Sequence, residues 1–232
     1  APITAKLVVG ADGAHSWVRQ QMNMGIAFQD YDHHAIVANV ECTQGHKANQ
    51  ATAWQVFLPS GPLAFLPLFK ENTCSIVWST SPQECQRLLA LESADFEKEL
   101  TAASDCKLGV ISLKSKRISF PLTMRLAHDF TKERAVLVGD AAHTIHPLAG
   151  QGVNLGLLDA AALAQTLAEQ FQQDQENWFS EKALKQYSRW RRAESAEMIA
   201  AMASIKQVFT PQNPIAKALR GFGLSLINDL SP

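Results

Sequence analysis

The chain has 232 residues, of which 47% are hydrophobic and 19% charged, and its formal net charge is -1. This is the composition of an ordinary globular protein, long enough for one large domain or two small ones. The near-neutral net charge lacks the excess of positive charge that is typical of nucleic-acid-binding proteins. No stretch approaches the roughly eighteen apolar residues of a transmembrane helix. Any membrane contact is therefore expected to be peripheral.

The cysteines carry no sign of a metal site or a redox motif. Cys42, Cys74, Cys85 and Cys106 form no CxxC pair and no metal-ligand spacing. We therefore expect reduced thiols, in the core or on the surface. Together with the lack of a signal-peptide pattern, this favours a reducing cytoplasm.

The first residues predict a strand, a turn and a short helix. Residues 5–10 have the pattern of a buried strand, Asp12-Gly13 is a turn signal, and a helix is expected to begin at Ser16. A buried parallel strand needs neighbours on both sides, yet no strand precedes this one. We therefore expect the chain to be a fragment of a longer protein.

The middle of the chain predicts an antiparallel sheet. Ser81 and Pro82 have the pattern of a helix cap and first helical residue, and helical residues then continue with a break to about residue 103. A further strand is expected at residues 113–120. The short segments with strand composition before this helix are joined by hairpin-length turns and lie at residues 34–42, 53–58, 63–69 and 74–80.

Residues 134–159 are the stretch around which the chain is organised. A short buried strand at residues 135–138 ends at Gly139-Asp140, and a long apolar helix follows Gly150 and Gly152. A carboxylate at a strand end and a bare helix N-terminus could together hold a ribose hydroxyl and a phosphate or flavin carbonyl. The alternative is a tight strand-to-helix connection in which Asp140 caps the helix.

The remaining sequence predicts helices and no metal site. Residues 181–208 are expected to form a helix with a basic outer face, carrying Arg191 among its arginines, and residues 215–230 a further amphipathic segment. His143 and His146 are three residues apart and would share a helical face. With no further ligand nearby at suitable spacing, we expect no metal there.

Two motifs in this order resemble a known family. The run GDAAHTIHPLAGQGVNLG resembles the second flavin motif of the class A FAD-dependent aromatic hydroxylases, and ADGAHSWVR resembles their Asp-Gly motif. HHAIVA, LAFLPL and CSIVWSTSP are similar to further stretches of the ubiquinone-biosynthesis group of this family, of the 2-octaprenylphenol hydroxylase type. The similarity covers nearly the whole chain.

The resemblance implies a mixed α/β fold similar to that of p-hydroxybenzoate hydroxylase. It comprises a partial Rossmann-like FAD-binding domain, a substrate domain with an antiparallel sheet, and a helical carboxyl terminus. The implied boundaries are 1–27 and 124–175 for the FAD-binding domain, 28–123 for the substrate domain and 176–232 for the terminal helices.

The resemblance also implies roles for individual residues. Pro147 would lie beside the flavin ring near the place where oxygen reacts, and His146 and Pro147 are the catalytic candidates. The substrate-wall candidates are Phe65, Leu66 and Pro67, and no metal is implied. The implied cofactor-binding residues are Asp12, Gly13, Arg19, Gly139, Asp140, Gly150, Gln151, Gly152, Val153 and Asn154.

The implied activity is that of an FAD-dependent monooxygenase. With NAD(P)H and O2 it would hydroxylate the ring of a polyprenylated phenol or benzoquinol in ubiquinone biosynthesis, at a ring position that stays open. Peripheral contact with the inner membrane, other ubiquinone-biosynthesis enzymes as partners, and a homo-oligomer also stay open. The alternative is a non-catalytic fragment or interaction module of a ubiquinone-biosynthesis enzyme complex. In the resembling family an amino-terminal G-x-G-x-x-G loop binds the FAD pyrophosphate, and this sequence contains no such loop. We therefore expect this chain alone to lack bound FAD.

Overall fold

The computed structural model describes residues 3–44, 52–145 and 152–209. Within these ranges the chain divides into a first unit, residues 3–31 and 123–207, and a second unit, residues 32–122. Two long strands, β2 (Ile26–Cys42) and β7 (Ile118–Ala127), contribute residues to both units. Among the helices of these ranges, none combines the length and apolarity that a membrane span requires.

The second unit is built on an antiparallel sheet. Its strands pair in the order β2, β5, β4, β3, and β6 pairs with β2 as well. Two helices follow β5. The remaining elements are β3 (Trp54–Leu58), β4 (Gly61–Pro67), β5 (Thr73–Thr80), α2 (Pro82–Ala90), α3 (Ser93–Ala103) and β6 (Ile111–Leu113).

One face of this sheet forms the core of the second unit. Ile36 pairs with Trp78, which pairs in turn with Leu63 on β4, so apolar side chains from neighbouring strands lie side by side. Phe96 of α3 packs into the same cluster, with its ring centroid 6.0 Å from that of Trp78. The strand composition and the hairpin turns predicted this antiparallel sheet correctly.

The start of α2 follows from local sequence signals. The Ser81 hydroxyl accepts the backbone N–H of Glu84 at 3.3 Å, and Pro82 occupies the first helical position, where its missing N–H is harmless. The predicted cap, proline position and break before α3 are confirmed.

The predicted single strand at residues 113–120 is wrong. β6 ends at Leu113 and β7 begins at Ile118, with a polar run between them. In this run Arg117 donates hydrogen bonds of 2.7 Å to the carbonyl oxygens of Leu88 and Leu91. These carbonyls lie at the end of α2, where the helix leaves them without intrahelical partners, so Arg117 satisfies them at the cost of strand continuity.

The first unit contains a small sheet, a further pair of strands, one short helix and two long helices. β1 (Val8–Gly10) pairs in parallel with β9 (Ala135–Leu137), and β8 (Thr131–Lys132) pairs antiparallel with β9. β10 (His143–Thr144) pairs antiparallel with the end of β7. The helices are α1 (Trp17–Gln21), α4 (Gly152–Gln173) and α5 (Glu181–Phe209).

The core of the first unit joins β9 to α4 and α5. Val136 and Leu137 are buried with Leu163 of α4 and Tyr187 of α5. Arg191 does not lie on the predicted basic outer face of α5, because it is only 1% exposed. The prediction is wrong at this position. A buried guanidinium needs a partner, and Arg191 has one within this unit, as described below.

The cysteines are free thiols in this structure. Cys42, Cys74 and Cys85 are buried, whereas Cys106 is exposed. Burial raises the pKa of the Cys85 thiol, which keeps it in the protonated, unreactive form.

Candidate functional site

The loop after β9 presents a carboxylate to solvent. Val138 ends the extended segment, and residues Gly139–Ala141 form one turn of 3-10 helix, called here the Asp140 turn. Gly139 has φ +59, a backbone region that favours glycine. Asp140 is exposed, and its carboxylate has no hydrogen-bond partner among the described residues. The alternative of a helix-capping Asp140 therefore lacks support in the described part of the chain.

The carboxylate of Asp12 holds the start of α1. Its Oδ2 accepts the backbone N–H groups of Trp17 at 2.7 Å and Val18 at 3.1 Å. Burial raises the pKa of Asp12, but hydrogen bonds from Ser16 and from these N–H groups outweigh it, so the pKa lies below its ordinary value. Gly13 beside it has φ +81. Asp12 thus fixes the loop of residues 11–15, called here the Asp12 loop.

Arg19 connects the Asp12 loop to the Asp140 turn. Its guanidinium is buried and donates from Nη2 to the carbonyl of Ala14 at 2.8 Å and from Nη1 to the carbonyl of Ala141 at 2.7 Å. Arg125 donates to the same Ala14 carbonyl at 3.0 Å. The structure thus brings together the two predicted motifs, which are more than a hundred residues apart. It also commits two Arg19 nitrogens to backbone carbonyls.

A buried carboxylate on α4, that of Asp159, binds the backbone of the Asp140 turn. Asp159 Oδ2 accepts the backbone N–H of Gly139 at 2.9 Å and the Nε2 hydrogen of His143 at 2.6 Å. Its Oδ1 accepts Nε of Arg191 at 2.7 Å. We call Asp159, His143, Arg191 and the Gly139 N–H the Asp159 network. An ionised carboxylate only accepts hydrogen bonds, so Nε2 of His143 carries the hydrogen.

The partners of Asp159 keep it ionised inside the protein. Burial raises its pKa, but the interactions with His143, the hydrogen bond from Arg191 and the N–H of Gly139 outweigh burial, and the pKa lies below its ordinary value. Burial lowers the pKa of Arg191, and the contacts with Asp159 and Glu194 raise it above its ordinary value. Both groups are therefore charged at neutral pH.

Helix α4 also approaches the Asp140 turn through a glycine. A β-carbon on Gly156 would lie 3.1 Å from the Cα of Gly139, closer than ordinary van der Waals contact. Gly156 and Asp159 are three residues apart and share one helix face. One face of α4 therefore meets the turn by close backbone approach and by a hydrogen bond.

Sequence reasoning missed Asp159, Gly156 and Arg191. The available signal was a lone acid inside the long apolar stretch of α4, because a carboxylate is almost never buried there without a partner. For His143, its spacing from His146 raises only the alternative of a metal ligand. In the structure its Nε2 is used by Asp159, and its buried Nδ1 has no hydrogen-bond partner within the described ranges.

The other predicted cofactor residues lie at the start of α4 or outside the described residues. Gly152 begins the helix, Val153 is 74% exposed and Asn154 is exposed. The first N–H groups of such a helix have no intrahelical partner and favour an anion or a carbonyl oxygen. The predicted residues that lie outside the described ranges are His146, Pro147, Gly150 and Gln151.

The predicted substrate-wall residues lie on β4 and alternate between its two faces. Phe65 is 1% exposed and packs in the core of the second unit, whereas Leu66 is 42% exposed. Pro67 is half-buried. Because successive strand residues point to opposite faces, Phe65 and Leu66 cannot form one wall together. Their contact with a substrate stays a prediction.

Comparisons with known proteins place these features in a family context. A family model described as FAD binding domain matches residues 1–202. Over 222 residues the chain is 39% identical to 3-demethoxyubiquinol 3-hydroxylase of Escherichia coli strain K12, covering 96% of this chain and 55% of that protein. Over 233 residues it is 36% identical to ubiquinone hydroxylase UbiL of Rhodospirillum rubrum, covering 99% and 52%.

A solved structure shows the same fold. The crystal structure of p-nitrophenol 4-monooxygenase PnpA from Pseudomonas putida DLL-E4 matches with a TM-score of 0.71 at 23% identity, covering 92% of this chain and 53% of that chain. The predicted fold class, mixed α/β with an antiparallel sheet and a helical carboxyl-terminal region, is confirmed. The chain spans about half the length of the curated relatives it matches.

Proposed function

The chain belongs to the FAD binding domain family, and from this premise we propose that it serves an FAD-dependent aromatic-ring monooxygenase of ubiquinone biosynthesis. Its substrate is a phenol or benzoquinol that carries a polyprenyl tail, and its co-substrates are NAD(P)H and O2. The similarity to two ubiquinone hydroxylases over nearly the whole chain supports this assignment. The fold alone would not support this assignment, because proteins with one fold catalyse many different reactions.

The observation that carries the proposal is the free carboxylate of Asp140. It lies at the carboxyl end of β9, the position where ligands of open α/β sheets bind, and it is exposed without a partner among the described residues. A carboxylate accepts hydrogen bonds from the hydroxyl groups of a ribitol or ribose chain. The residues of the Asp140 turn therefore fit the polar part of FAD.

Further residues would hold the same cofactor. The N-terminus of α4, with Gly152, Val153 and Asn154, offers N–H groups to electron-rich atoms of FAD. Asp12 and Arg19 fix the Asp12 loop and join it to the Asp140 turn, so Gly13 is held close to the same place. The roles of His146, Pro147, Gly150 and Gln151 rest on the family resemblance.

The protein's own contribution is binding, orientation and exclusion of water. When bound, FAD supplies the transfer of electrons from NAD(P)H and the activation of O2 that puts a hydroxyl group on the ring. No side-chain nucleophile is needed for that chemistry. In the second unit, Leu66 is the substrate-wall candidate with an exposed side chain, and Phe65 and the half-buried Pro67 lie on the opposite face of β4. The protein is proposed to act in the cytoplasm, at the periphery of the inner membrane.

Quinone profiling tests the function. Deleting the gene that encodes the chain should stop ubiquinone synthesis and accumulate a polyprenylated precursor that lacks one ring hydroxyl group. The mass and ring position of that precursor identify the reaction. A wild-type copy should restore ubiquinone, and an Asp140→Ala copy should restore much less. Unchanged ubiquinone and no such precursor in the deletion strain would refute the proposal.

Flavin content separates this proposal from a non-catalytic interaction module. The product of the native gene, purified from its own cells, should carry FAD if it is the hydroxylase. The 232-residue chain alone is expected to lack bound FAD, because its sequence contains no G-x-G-x-x-G loop for the pyrophosphate. A native gene product without flavin would favour the interaction module.

A further inference from the structure

The Asp159 network joins separate segments of the first unit at one buried carboxylate. Asp159 is 0% exposed on α4, and its hydrogen-bond donors come from the loop after β9, from β10 and from α5. An ion pair with Arg191 alone would satisfy one oxygen. The other oxygen is shared between His143 and the backbone N–H of Gly139, the residue directly before Asp140.

This arrangement fixes the direction in which Asp140 projects. Gly139 has φ +59, and its Cα packs against Gly156 of α4, so the turn has little room to shift toward the helix. The hydrogen bond from its N–H to Asp159 prevents the peptide from rotating away. On the other side of Asp140, the carbonyl of Ala141 accepts Arg19. Both backbone neighbours of Asp140 are thus held by buried charged side chains.

We propose that Asp159, paired with Arg191, is a positioning residue that sets the orientation of the Asp140 carboxylate toward the flavin. This inference rests on the proposed function. Asp159 does not contact the cofactor itself, because its side chain is buried and its oxygens are occupied within the network. It acts through the Gly139 peptide. The role of Arg191 is to supply the compensating positive charge, with Glu194 as its second partner.

The test compares two variants that remove the network with a control that leaves it intact. Asp159→Asn keeps the side-chain shape but removes the buried counter-charge of Arg191 and leaves Glu194 as its acidic partner. The double variant Asp159→Leu with Arg191→Met removes both charges and keeps a fillable apolar core, so it should fold even where the single variant does not. Tyr187→Phe is the matched control, because it removes a buried hydrogen bond of 3.1 Å from α5 to the Leu137 carbonyl without touching the Asp140 turn.

The first measurement needs no cofactor. Amide hydrogen exchange in the 232-residue chain should become about tenfold faster or more at Gly139 in the double variant, the expected consequence of losing its acceptor. The Leu137 amide, bonded to the Phe130 carbonyl at 2.8 Å, should exchange as in the wild type. Tyr187→Phe should leave Gly139 exchange unchanged. Unchanged exchange at Gly139 in the double variant would overturn the positioning role.

The second measurement is the affinity of the native gene product for FAD. The double variant should lose about tenfold or more in affinity, similar to the loss expected for Asp140→Ala, while Tyr187→Phe retains wild-type affinity. If Gly139 exchanges faster but FAD affinity is unchanged, Asp159 does hold the turn, and the flavin assignment of the Asp140 turn fails instead. If FAD affinity falls with no change at Gly139, the positioning proposal fails and the flavin assignment stands.

Discussion

Arg19 donates a hydrogen bond of 2.7 Å from Nη1 to the carbonyl oxygen of Ala141, across a sequence separation of 122 residues. The same guanidinium holds the Ala14 carbonyl at 2.8 Å, so one side chain fastens the Asp12 loop to the Asp140 turn. A buried guanidinium in this position is a structural tie between the two motifs. Its loss should therefore affect the fold of the first unit as well as any ligand bound there.

Replacing Arg19 should destabilise the first unit. Arg19→Met removes two hydrogen bonds from a charged donor, each worth about 1.5 to 3 kcal/mol. The Ala14 carbonyl keeps its hydrogen bond from Arg125, whereas the Ala141 carbonyl loses the one from Arg19. Urea unfolding of the 232-residue chain should show a loss of at least about 2 kcal/mol on that basis. Arg192→Met, at an exposed position on α5, is the control and should change little. Equal stabilities of the two variants would contradict the structural tie.

Substitution by valine should have different effects at two glycines of α4, Gly152 and Gly156. No atom of the described residues lies within 4 Å of a β-carbon placed on Gly152, whereas one on Gly156 would lie 3.1 Å from the Gly139 Cα. Gly156→Val should therefore lower stability by about 1 to 3 kcal/mol through overpacking. Gly152→Val should leave the melting temperature nearly unchanged and yet abolish hydroxylation, because its side chain would intrude on the bound flavin.

Thermal unfolding and hydroxylation assays on both variants separate these effects. Wild-type hydroxylation by Gly152→Val would show that the N-terminus of α4 does not lie at the flavin. An unchanged melting temperature for Gly156→Val would show that the close approach between α4 and the Asp140 turn is not tight in solution.

The difference in free energy of unfolding between the wild type and Asp159→Asn should depend on pH. The pKa of Asp159 lies below its ordinary value of 3.8, so its contribution is fully present above that value and is lost as the pH falls toward the lower, folded-state pKa. Breaking a buried ion pair on one side costs about 3 to 5 kcal/mol. Asp159→Asn should therefore be less stable than the wild type by roughly that amount at pH 7.

The difference should shrink as the solution is acidified below pH 3.8. Urea unfolding of both proteins across this range measures it, with Asp129→Asn, an exposed acid of the same unit, as control. A difference that is constant with pH would assign the stability loss to packing.

The features predicted correctly from the sequence are those with local causes. Ser81 and Pro82 predict a helix start by their residue types and order. The strand at 135–137 ends just before Gly139 and Asp140, the residues that predict its end. Hairpin turns revealed the antiparallel sheet because short links leave few alternatives for pairing. The two motifs also revealed which loops would meet.

The features that were missed have causes distant in sequence. Asp159 and Arg191 are 32 residues apart on different helices, and nothing in either local pattern indicates the other. Arg191 lies among exposed residues of α5, so the sequence pattern predicts that it belongs to the basic outer face. The strand break at Arg117 depends on carbonyls of α2 that only the folded structure brings near. Successive side chains of β4 point to opposite faces of the sheet, so Phe65 lies in the core and Leu66 does not. Only the structure shows which face of β4 is the core face.

Retention of FAD by Asp140→Ala shows whether the Asp140 carboxylate binds the flavin. The native gene product and its Asp140→Ala variant would be purified from the same cells and titrated with FAD, with Asp129→Ala as an exposed-acid control. A charge-assisted hydrogen bond is worth about 1.5 to 3 kcal/mol, so the variant should bind FAD about tenfold or more weakly. Its melting temperature without flavin should be unchanged, because the Asp140 carboxylate has no partner among the described residues. Wild-type FAD affinity in Asp140→Ala would contradict the account.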